Sequence, residues 1–252
     1  MSQLTIYEKW LTYARESEMN REMLAYLVEL RNNGVYDEKL HEAYINAGII
    51  GSIEEKNGDE PFVGCYFQLF LDEIGMSLEE LGYTDTPIKN FGDGFIIPSW
   101  STTGKFLFCI NHNKERNSGL DAKYINLYPT GKKELLSKFR FYGLDSTMQA
   151  LDIGYMCICE GIFDKLRLNS AGLPAVTTLG SQISKTQLRV LNRFDKCKLV
   201  GDNDVAGRKA QQILLKGLAR TEQYIIPYEK DIDDLAKNKP EIYQEFIHKM
   251  KR

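Results

Sequence analysis

Acidic side chains follow two short apolar runs in the second half of the chain. The first run, 155–159, is followed by Glu160 and then Asp164, and the second run ends shortly before Asp202 and Asp204. Apolar runs of this length are typical of buried strands, and ligands of open α/β sheets bind at the carboxyl ends of the strands. Carboxylate oxygens at that position suit a hard cation such as Mg²⁺ better than thiols or imidazoles would.

A third acidic group, Asp231 and Asp233, follows the run 224–227, which we predict to be another strand. Helix-like segments and a short strand within 174–179 separate the runs, so this part of the chain predicts a parallel sheet. The ends of parallel strands lie on one edge, and the acids are therefore expected to converge. Each group alone also fits an ordinary acidic turn. Four or more clustered carboxylates, however, are tolerated mainly when a divalent cation neutralises them.

Positive charge is concentrated outside the first 90 residues. Residues 1–90 hold 17 acidic and 7 basic side chains, and the chain totals of 35 and 32 leave 18 and 25 for residues 91–252. The stretch 105–142 alone has eight Lys and Arg against three acids, interleaved with Tyr and Phe. This composition suits a single nucleic-acid strand, whose phosphates need charge and whose bases stack, but a solvated basic surface has the same composition.

The spacing of apolar residues predicts three segments. Residues 1–90 form an acidic segment that is helical over 1–45, with a further helix starting at Ser77. Residues 91–150 form a basic α+β segment, in which the apolar runs around Thr102-Thr103-Gly104 predict a β-hairpin. Residues 151–252 hold the acidic cluster and the closing helices. The first segment contains no catalytic motif, so packing or partner docking are its expected uses.

The remaining composition argues against several classes of protein. The five cysteines lack the paired spacing of a zinc site, and the three histidines are far apart, so we expect no zinc. Cys157 and Cys159 are expected to be core residues in a reducing compartment. Neither a secretory leader nor a membrane span is evident, which predicts no membrane partner and a cytoplasmic protein.

Four short motifs in the last hundred residues carry a family resemblance. In chain order they are Glu160-Gly161-(x)2-Asp164, Leu179-Gly180, Asp202-Asn203-Asp204-(x)2-Gly207 and Lys230-Asp231-Ile232-Asp233-Asp234. Together they resemble the TOPRIM module of DnaG-like primases, type IA and II topoisomerases and certain nucleases. The segments 95–98, 123–126 and 142–144 are similar to the run that precedes TOPRIM in DnaG-like primases, and the resemblance spans about residues 91–238. It implies an α/β fold with a TOPRIM-type, Rossmann-like parallel sheet flanked by helices, preceded by a mixed α+β segment with a β-hairpin and a helical N-terminus.

The resemblance also implies an activity, a cofactor and roles for individual residues. The expected activity is that of a DNA primase, a DNA-directed RNA polymerase that makes RNA primers on single-stranded DNA from ribonucleoside triphosphates during replication. The cofactor would be Mg²⁺ or Mn²⁺. Glu160, Asp202 and Asp204 would be catalytic, and the metal ligands would be Glu160, Asp164, Asp202, Asp204, Asp231 and Asp233. The residues expected to bind the nucleotide or the template are Lys123, Asn126, Lys138 and Arg116.

Two departures from the family leave alternatives open. The sequence has no zinc-ribbon spacing, and no segment after residue 240 is long enough for a helicase-binding domain. We therefore expect a compact primase core encoded by a phage or mobile element, acting in the host cytoplasm, with a replicative helicase as a candidate partner. A metal-dependent TOPRIM nuclease is the first alternative. A catalytically silent nucleic-acid-binding replication partner is the second.

Overall fold

The computed structural model describes most of the chain. The described residues are 4–52, 56–57, 60–61, 66–84, 94–113, 124–138, 140–180 and 182–252. They group into two compact units, 1–136 and 137–252. The boundary predicted near residue 90 falls in 85–93, outside the described residues, and the three-segment division stays a prediction.

The first unit begins with helices whose amino ends are capped by side chains. Thr5 and Glu8 form a reciprocal capping box, Ser17 accepts a hydrogen bond from the Asn20 N–H, and Asp37 accepts one from the Leu40 N–H. Such caps satisfy N–H groups that have no partner inside the helix. The predicted helical start of the chain is confirmed. The helices of this unit are α1 (Ile6–Glu16), α2 (Glu18–Arg31), α3 (Glu38–Asn46), α4 (Tyr66–Glu73) and α5 (Lys133–Leu136).

The strands of the first unit are antiparallel. They are β1 (Ile50–Ser52), β2 (Lys56–Asn57), β3 (Glu60–Pro61), β4 (Gly94–Trp100), β5 (Phe106–Asn113) and β6 (Tyr124–Leu127). The order β1-β4-β5-β6 forms one sheet, while β2 and β3 form a separate pair. The predicted hairpin is confirmed as β4 and β5, with Ile97 opposite Ile110. Because β1 pairs with β4, residues 50–52 complete this sheet.

Aromatic side chains fill the core of the first unit. Trp10 is fully buried, and its indole N–H donates to the Gly48 carbonyl at 2.7 Å. Its ring lies edge-on to Phe70 and Trp100, with centroids 4.6 and 5.5 Å apart. A buried indole needs a hydrogen-bond acceptor for its N–H, and the end of α3 provides one. Because Trp100 belongs to β4, its contact with Trp10 packs α1 against the sheet.

The second unit is built on a parallel sheet. Its strands are β7 (Met156–Cys159), β8 (Ala175–Thr177), β9 (Cys197–Val200) and β10 (Thr221–Gln223), arranged in the order β10-β9-β7-β8. All three pairings are parallel, as predicted from the alternation of apolar runs and helix-like segments. The helices of this unit are α6 (Thr147–Ile153), α7 (Ile162–Ser170), α8 (Lys185–Leu191), α9 (Val205–Gly217), α10 (Ile232–Asn238) and α11 (Pro240–Lys251).

Each face of the parallel sheet is covered by its own apolar cluster. Cys157 and Cys159 point to one face, where they pack with residues of α10 and α11. Met156 and Ile158 point to the other face and pack with residues of α8 and α9. A parallel strand covered by helices on both faces is expected to be apolar throughout, and β7 accordingly appears in the sequence as a continuous apolar run.

Two predicted elements differ from the structure. The last strand lies at Thr221–Gln223, whereas the sequence predicted it at 224–227. The apolar run after it contributes buried Ile226 to the core while leaving Ile225 exposed. Ser77 makes the reciprocal hydrogen bonds of a helix start with Glu80, yet residues 78–82 form only a turn. Gly82, at φ +87°, ends that turn before a second helical turn can form.

The described cysteines are free thiols in the core, as expected. Cys109, Cys157, Cys159 and Cys197 are all buried, and burial raises the pKa of the Cys157 thiol to about 12. Such thiols stay protonated and behave as small apolar side chains. Among the described residues, none of the helices has the length and apolar character needed to span a bilayer.

Candidate active site

The carboxyl ends of three parallel strands bring acidic residues to one edge of the second unit. Glu160 directly follows β7, and Asp202 follows β9 after a single glycine. Asp231 lies eight residues beyond β10, where its side chain accepts a hydrogen bond from the Asp234 N–H and caps α10. Electrostatic repulsion from both Glu160 and Asp231 contributes to the raised pKa of Asp202. Glu160 and Asp231 therefore lie close enough to Asp202 to repel its carboxylate.

Asp202 and Asp204 differ in burial although only one residue separates them. Burial, followed by repulsion from Glu160 and Asp231, raises the pKa of Asp202 to about 7. Asp204 is more exposed and caps α9 by accepting a hydrogen bond from the Gly207 N–H at 2.8 Å, which lowers its pKa. The two carboxylates share one cation, because the Lys230 ammonium lies 3.5 Å from Asp202 Oδ2 and 3.6 Å from Asp204 Oδ2.

The loop that carries this cation is fixed by Asn203. The Asn203 N–H donates to the Lys230 carbonyl at 2.8 Å. Its side-chain amide donates to the carbonyls of Ile226 and Glu229, both at 2.7 Å. Three hydrogen bonds from one asparagine thus join the loop after β9 to the loop after β10, and the two acidic groups cannot move apart freely.

Glu160 contains an oxygen without a hydrogen-bond partner. Its Oε2 atom is buried and has no hydrogen bond to any described residue. Partial burial is the main cause of its raised pKa, repulsion from Asp204 adds to it, and attraction to Lys230 opposes it. A buried carboxylate oxygen with no donor nearby is costly unless a cation or proton binds it. Glu160 is therefore suited to binding a metal ion or a proton.

Asp164 lies in the first turn of α7 and is buried. Its Oδ1 atom accepts a hydrogen bond from the Asp233 N–H at 3.0 Å. Burial, with repulsion from Asp231 and Asp202, raises its pKa to about 8. A side chain on Gly161 would collide with Asp164 Oδ2, so the glycine after Glu160 is what allows Asp164 to fold back beneath the edge.

Asp233 is occupied by two cations of its own. Arg167 Nε lies 2.9 Å from Oδ1, and Lys237 Nζ lies 2.5 Å from Oδ2. Arg167 and Asp233 are almost fully buried. Both oxygens are thus engaged by protein cations, unlike those of Glu160 or Asp202. Metal binding by Asp233 stays a prediction, and in this structure the residue ties α7 to α10.

Of the four residues predicted to bind nucleotide or template, two lie in the described part of the chain. Arg116 and Lys123 lie outside the described residues. Asn126 is partly buried in β6 of the first unit, opposite Ile110, and Lys138 is exposed at the start of the second unit. Their roles stay predictions.

Three cations near the acids were missed from the sequence. Lys237 follows Asp233 by four residues, a spacing that places both on one helix face, so it could have been found. Lys230 was part of a motif but was assigned no role, although it precedes Asp231 directly. Arg167 is separated from Asp233 by 66 residues, and nothing in the local sequence indicates this pair.

The acidic edge is not a preformed metal cage. In the described part of the chain, no three carboxylate, thiol or imidazole side chains are placed so that they could hold one metal ion. The donor chemistry nevertheless fits a hard divalent cation, since the candidate ligands are all carboxylates and Glu160 Oε2 lacks a partner. Small side-chain movements would have to close the site around such an ion.

Comparison with known proteins agrees with this geometry. Residues 157–236, which contain all six predicted metal ligands, match the family model described as Toprim-like. This segment is therefore similar to Toprim-like domains.

The chain outside the Toprim-like domain also has known relatives. The DNA primase of Thermotoga maritima is 26% identical over 94% of this chain, which spans about two fifths (41%) of that relative's length. The crystal structure of the Aquifex aeolicus primase, with zinc-binding and RNA polymerase domains, has a TM-score of 0.66 at 21% identity and covers 98% of this chain and 62% of its own. A second similar structure is the RNA polymerase domain of Mycobacterium tuberculosis primase DnaG, solved in complex with a double-stranded DNA oligomer with a 6-nucleotide overhang. Its TM-score is 0.67 at 18% identity, and the match covers 96% of this chain and 79% of the Mycobacterium chain. The predicted fold is thereby confirmed, since these solved primase domains share the fold of each unit.

Proposed function

We propose that this chain is the catalytic core of a DnaG-type DNA primase, which makes short RNA primers on single-stranded DNA. The observation that carries the proposal is the convergence of Glu160, Asp202 and Asp231 at the carboxyl edge of a parallel sheet. Its support from outside the site is the Toprim-like domain together with the fold of the whole chain.

The reaction would be nucleotidyl transfer. The 3′-hydroxyl of the growing primer attacks the α-phosphorus of an incoming ribonucleoside triphosphate, the bond to the β-phosphate breaks, and pyrophosphate leaves. Bound Mg²⁺ or Mn²⁺ would neutralise charge on the phosphates and favour ionisation of the attacking hydroxyl. Glu160, Asp202, Asp204 and Asp231 would hold the metal, and the protein's remaining task is to position the reactants.

Asp164 and Asp233 have supporting roles in this proposal. Asp164 is enclosed, and its raised pKa favours the protonated form at neutral pH. Asp233 is neutralised by Arg167 and Lys237. We infer that both hold Asp231 and the start of α10 in place beneath the edge, and that direct contact with a metal falls to the four exposed or half-buried carboxylates.

The template and the nucleotide would be held by the basic stretch 105–142. Lys132, Lys133 and Lys138 are exposed, and their charge suits phosphate oxygens. Lys123, Asn126 and Arg116 complete the proposed set. The relative from Mycobacterium tuberculosis was solved with DNA, and we extend DNA binding to this chain. A replicative helicase and a separate zinc-binding module remain proposed partners.

Primer synthesis by purified protein tests the proposal. We expect short RNA products from single-stranded DNA, labelled ribonucleotides and Mg²⁺ or Mn²⁺, and we expect Asp202→Asn to reduce their yield at least about a hundredfold. Asp195→Asn is the matched control, because Asp195 is an exposed acid just before the opposite end of β9. A nuclease would instead shorten the template without nucleotides, and a binding protein would do neither. Either result would overturn the primase assignment.

A further inference from the structure

Lys230 combines a fixed backbone with a free side chain at the centre of the acidic edge. Asn203 holds the Lys230 carbonyl, whereas the lysine side chain is 55% exposed. The ammonium lies 3.5 Å from Asp202 and 3.6 Å from Asp204, too far for short hydrogen bonds. It is held by electrostatic attraction from two directions and is not locked in place.

The charge of Lys230 acts on more than these two partners. Attraction to Lys230 lowers the pKa of each of four carboxyl groups, against the effects of burial or mutual repulsion: Glu160, Asp202, Asp204 and Asp231. In return, attraction from Asp202, Asp204 and Asp231 outweighs partial desolvation and raises the pKa of Lys230. At ion-pair distance the ammonium partly neutralises Asp202 and Asp204, two of the four carboxylates that the proposed reaction requires for its metal.

We propose that Lys230 is an exchangeable counter-cation of the acidic edge, which a divalent metal ion must displace from between Asp202 and Asp204. The inference rests on the proposed function in so far as that function requires a metal at these carboxylates. It adds that the protein supplies its own cation to the same oxygens, so that metal and lysine compete for them.

Two other cations near the acidic edge, Arg167 and Lys237, are much more buried than Lys230. Arg167 is buried against Asp233, and Lys237 is only 11% exposed. Neither can leave without stranding a buried charge. The Lys230 ammonium can turn into solvent at little cost, because its stem is flexible and it has no short hydrogen bond to break. Asp233 therefore has permanent cations, while Asp202 and Asp204 have a replaceable one.

Displacement would also give Lys230 a second position. Its backbone stays tied to the loop of Asp202, so the released ammonium remains beside the edge. A triphosphate bound there by a metal would present anionic oxygens to it. The same lysine would thus hold the carboxylates together without metal and face the phosphates with metal.

Direct measurement of Mn²⁺ binding to the full chain, by the electron paramagnetic resonance signal of free Mn²⁺, tests the competition. We expect Lys230→Met to bind Mn²⁺ about threefold to tenfold more tightly than the wild type at low ionic strength, as expected for the loss of two partly exposed ion pairs. Lys230→Arg keeps the charge and is expected to stay near the wild-type affinity. Lys239→Met is the matched control, because Lys239 is a nearby cation that contacts the Tyr228 ring.

Thermal unfolding provides a second readout. In EDTA the wild type should melt at a higher temperature than Lys230→Met, whose carboxylates repel one another without a counter-cation. Saturating Mn²⁺ should raise the melting temperature of the variant more than that of the wild type.

Each outcome decides the inference. Equal or weaker Mn²⁺ binding by Lys230→Met overturns it, and so does equal tightening by Lys239→Met, which would indicate only a change in overall charge. If the wild type makes primers while Lys230→Met binds Mn²⁺ with the wild-type affinity, the inference fails and the proposed function stands. If the wild type neither binds Mn²⁺ nor makes primers, the proposed function fails with it.

Discussion

The same residue type has opposite surroundings at Asp233 and Asp202. Asp233 is enclosed with Arg167, while Asp202 faces other carboxylates and the Lys230 ammonium at 3.5 Å. A carboxylate with a buried guanidinium is permanently neutralised within the protein, whereas one among like charges and an exposed ammonium can exchange its cation with solvent. Residue identity alone therefore does not decide which aspartates are available to a metal.

Removal of Arg167 should destabilise the protein much more than removal of an exposed arginine. Arg167→Met leaves Asp233 buried with Lys237 alone, and breaking a buried pair in this way costs about 3 kcal/mol or more. Arg21→Met breaks the Arg21–Glu42 ion pair, whose side chains are 38% and 44% exposed, and should cost less than about 1 kcal/mol. Urea unfolding measures both. Adding Asp233→Asn to Arg167→Met should restore part of the loss, and a further drop would contradict the pairing.

Asp164 predicts how stability depends on pH in the absence of metal. Its pKa is raised to about 8 in the folded protein, mainly by burial, so the folded state binds a proton that the unfolded state has released above about pH 4. Stability contributed by this group therefore falls as pH rises through that window, by about 1.4 kcal/mol per unit. Asp164→Asn keeps an acceptor for the Asp233 N–H and removes the titration.

Unfolding measured in EDTA between pH 5.5 and 7.5 should consequently show a shallower decline for Asp164→Asn than for the wild type. Asp152→Asn, at an exposed acid on α6, should keep the wild-type decline. Parallel curves for the wild type and Asp164→Asn would show that Asp164 is ionised in the folded protein.

At the scale of elements, the sequence predicted most of the sheet that positions the site. The run at β7 is continuous and apolar because both faces of the strand are covered, and it ends at Cys159, where the strand ends. The run at β9 is apolar except for the buried Lys198. Ser184 and Gln187, three residues apart, form the capping box of α8. These features depend on neighbours in the chain, so local patterns are sufficient to predict them.

Elements that depend on distant contacts were predicted less well. The strand β10 contains Thr221, Glu222 and Gln223, which have no apolar pattern because the strand is at the sheet edge and largely exposed. The run 224–227 that follows is more apolar, and for this reason it was wrongly predicted to be the strand. The Arg167–Asp233 pair was likewise invisible, since it joins two helices far apart in the chain.

Gly207 shows how a helix start is fitted to the acidic loop. A Cβ atom at this position would collide with the Asp202 carbonyl oxygen and lie 2.8 Å from the Asp202 Cβ. Gly207→Ala should push the loop outward and weaken both Mn²⁺ binding and primer synthesis about tenfold to a hundredfold, because small displacements of catalytic groups are costly.

The matched control is Gly217→Ala at the other end of α9, where a Cβ atom would meet only the Leu188 side chain. We expect that change to lower the melting temperature while Mn²⁺ affinity stays unchanged. Equal losses of Mn²⁺ affinity in the two variants would show that the close approach of Gly207 has no specific role.

At the scale of the whole molecule, charge is divided between the parts of the chain. Residues 1–90 are acidic, whereas the basic stretch 105–142 extends from the antiparallel sheet into the unit that holds the Toprim-like domain. A polyanionic ligand would be repelled by the first part and attracted by the second. The average net charge of −3 therefore conceals a basic stretch whose composition suits a polyanionic ligand.

This division predicts a specific dependence of DNA binding on salt. Lys132 and Lys133 are exposed in the basic stretch, and Lys132→Ala/Lys133→Ala should weaken binding of a labelled single-stranded oligonucleotide. The slope of log affinity against log salt concentration should also become less steep by up to about 1.4, because each lost phosphate contact on a single strand accounts for about 0.7 of that slope. Arg15→Ala/Lys39→Ala removes two exposed cations from the acidic segment and should change neither quantity. Fluorescence anisotropy between 50 and 200 mM salt, a range over which such contacts weaken markedly, measures both. Equal slopes for the two double variants would place the template elsewhere than on the basic stretch.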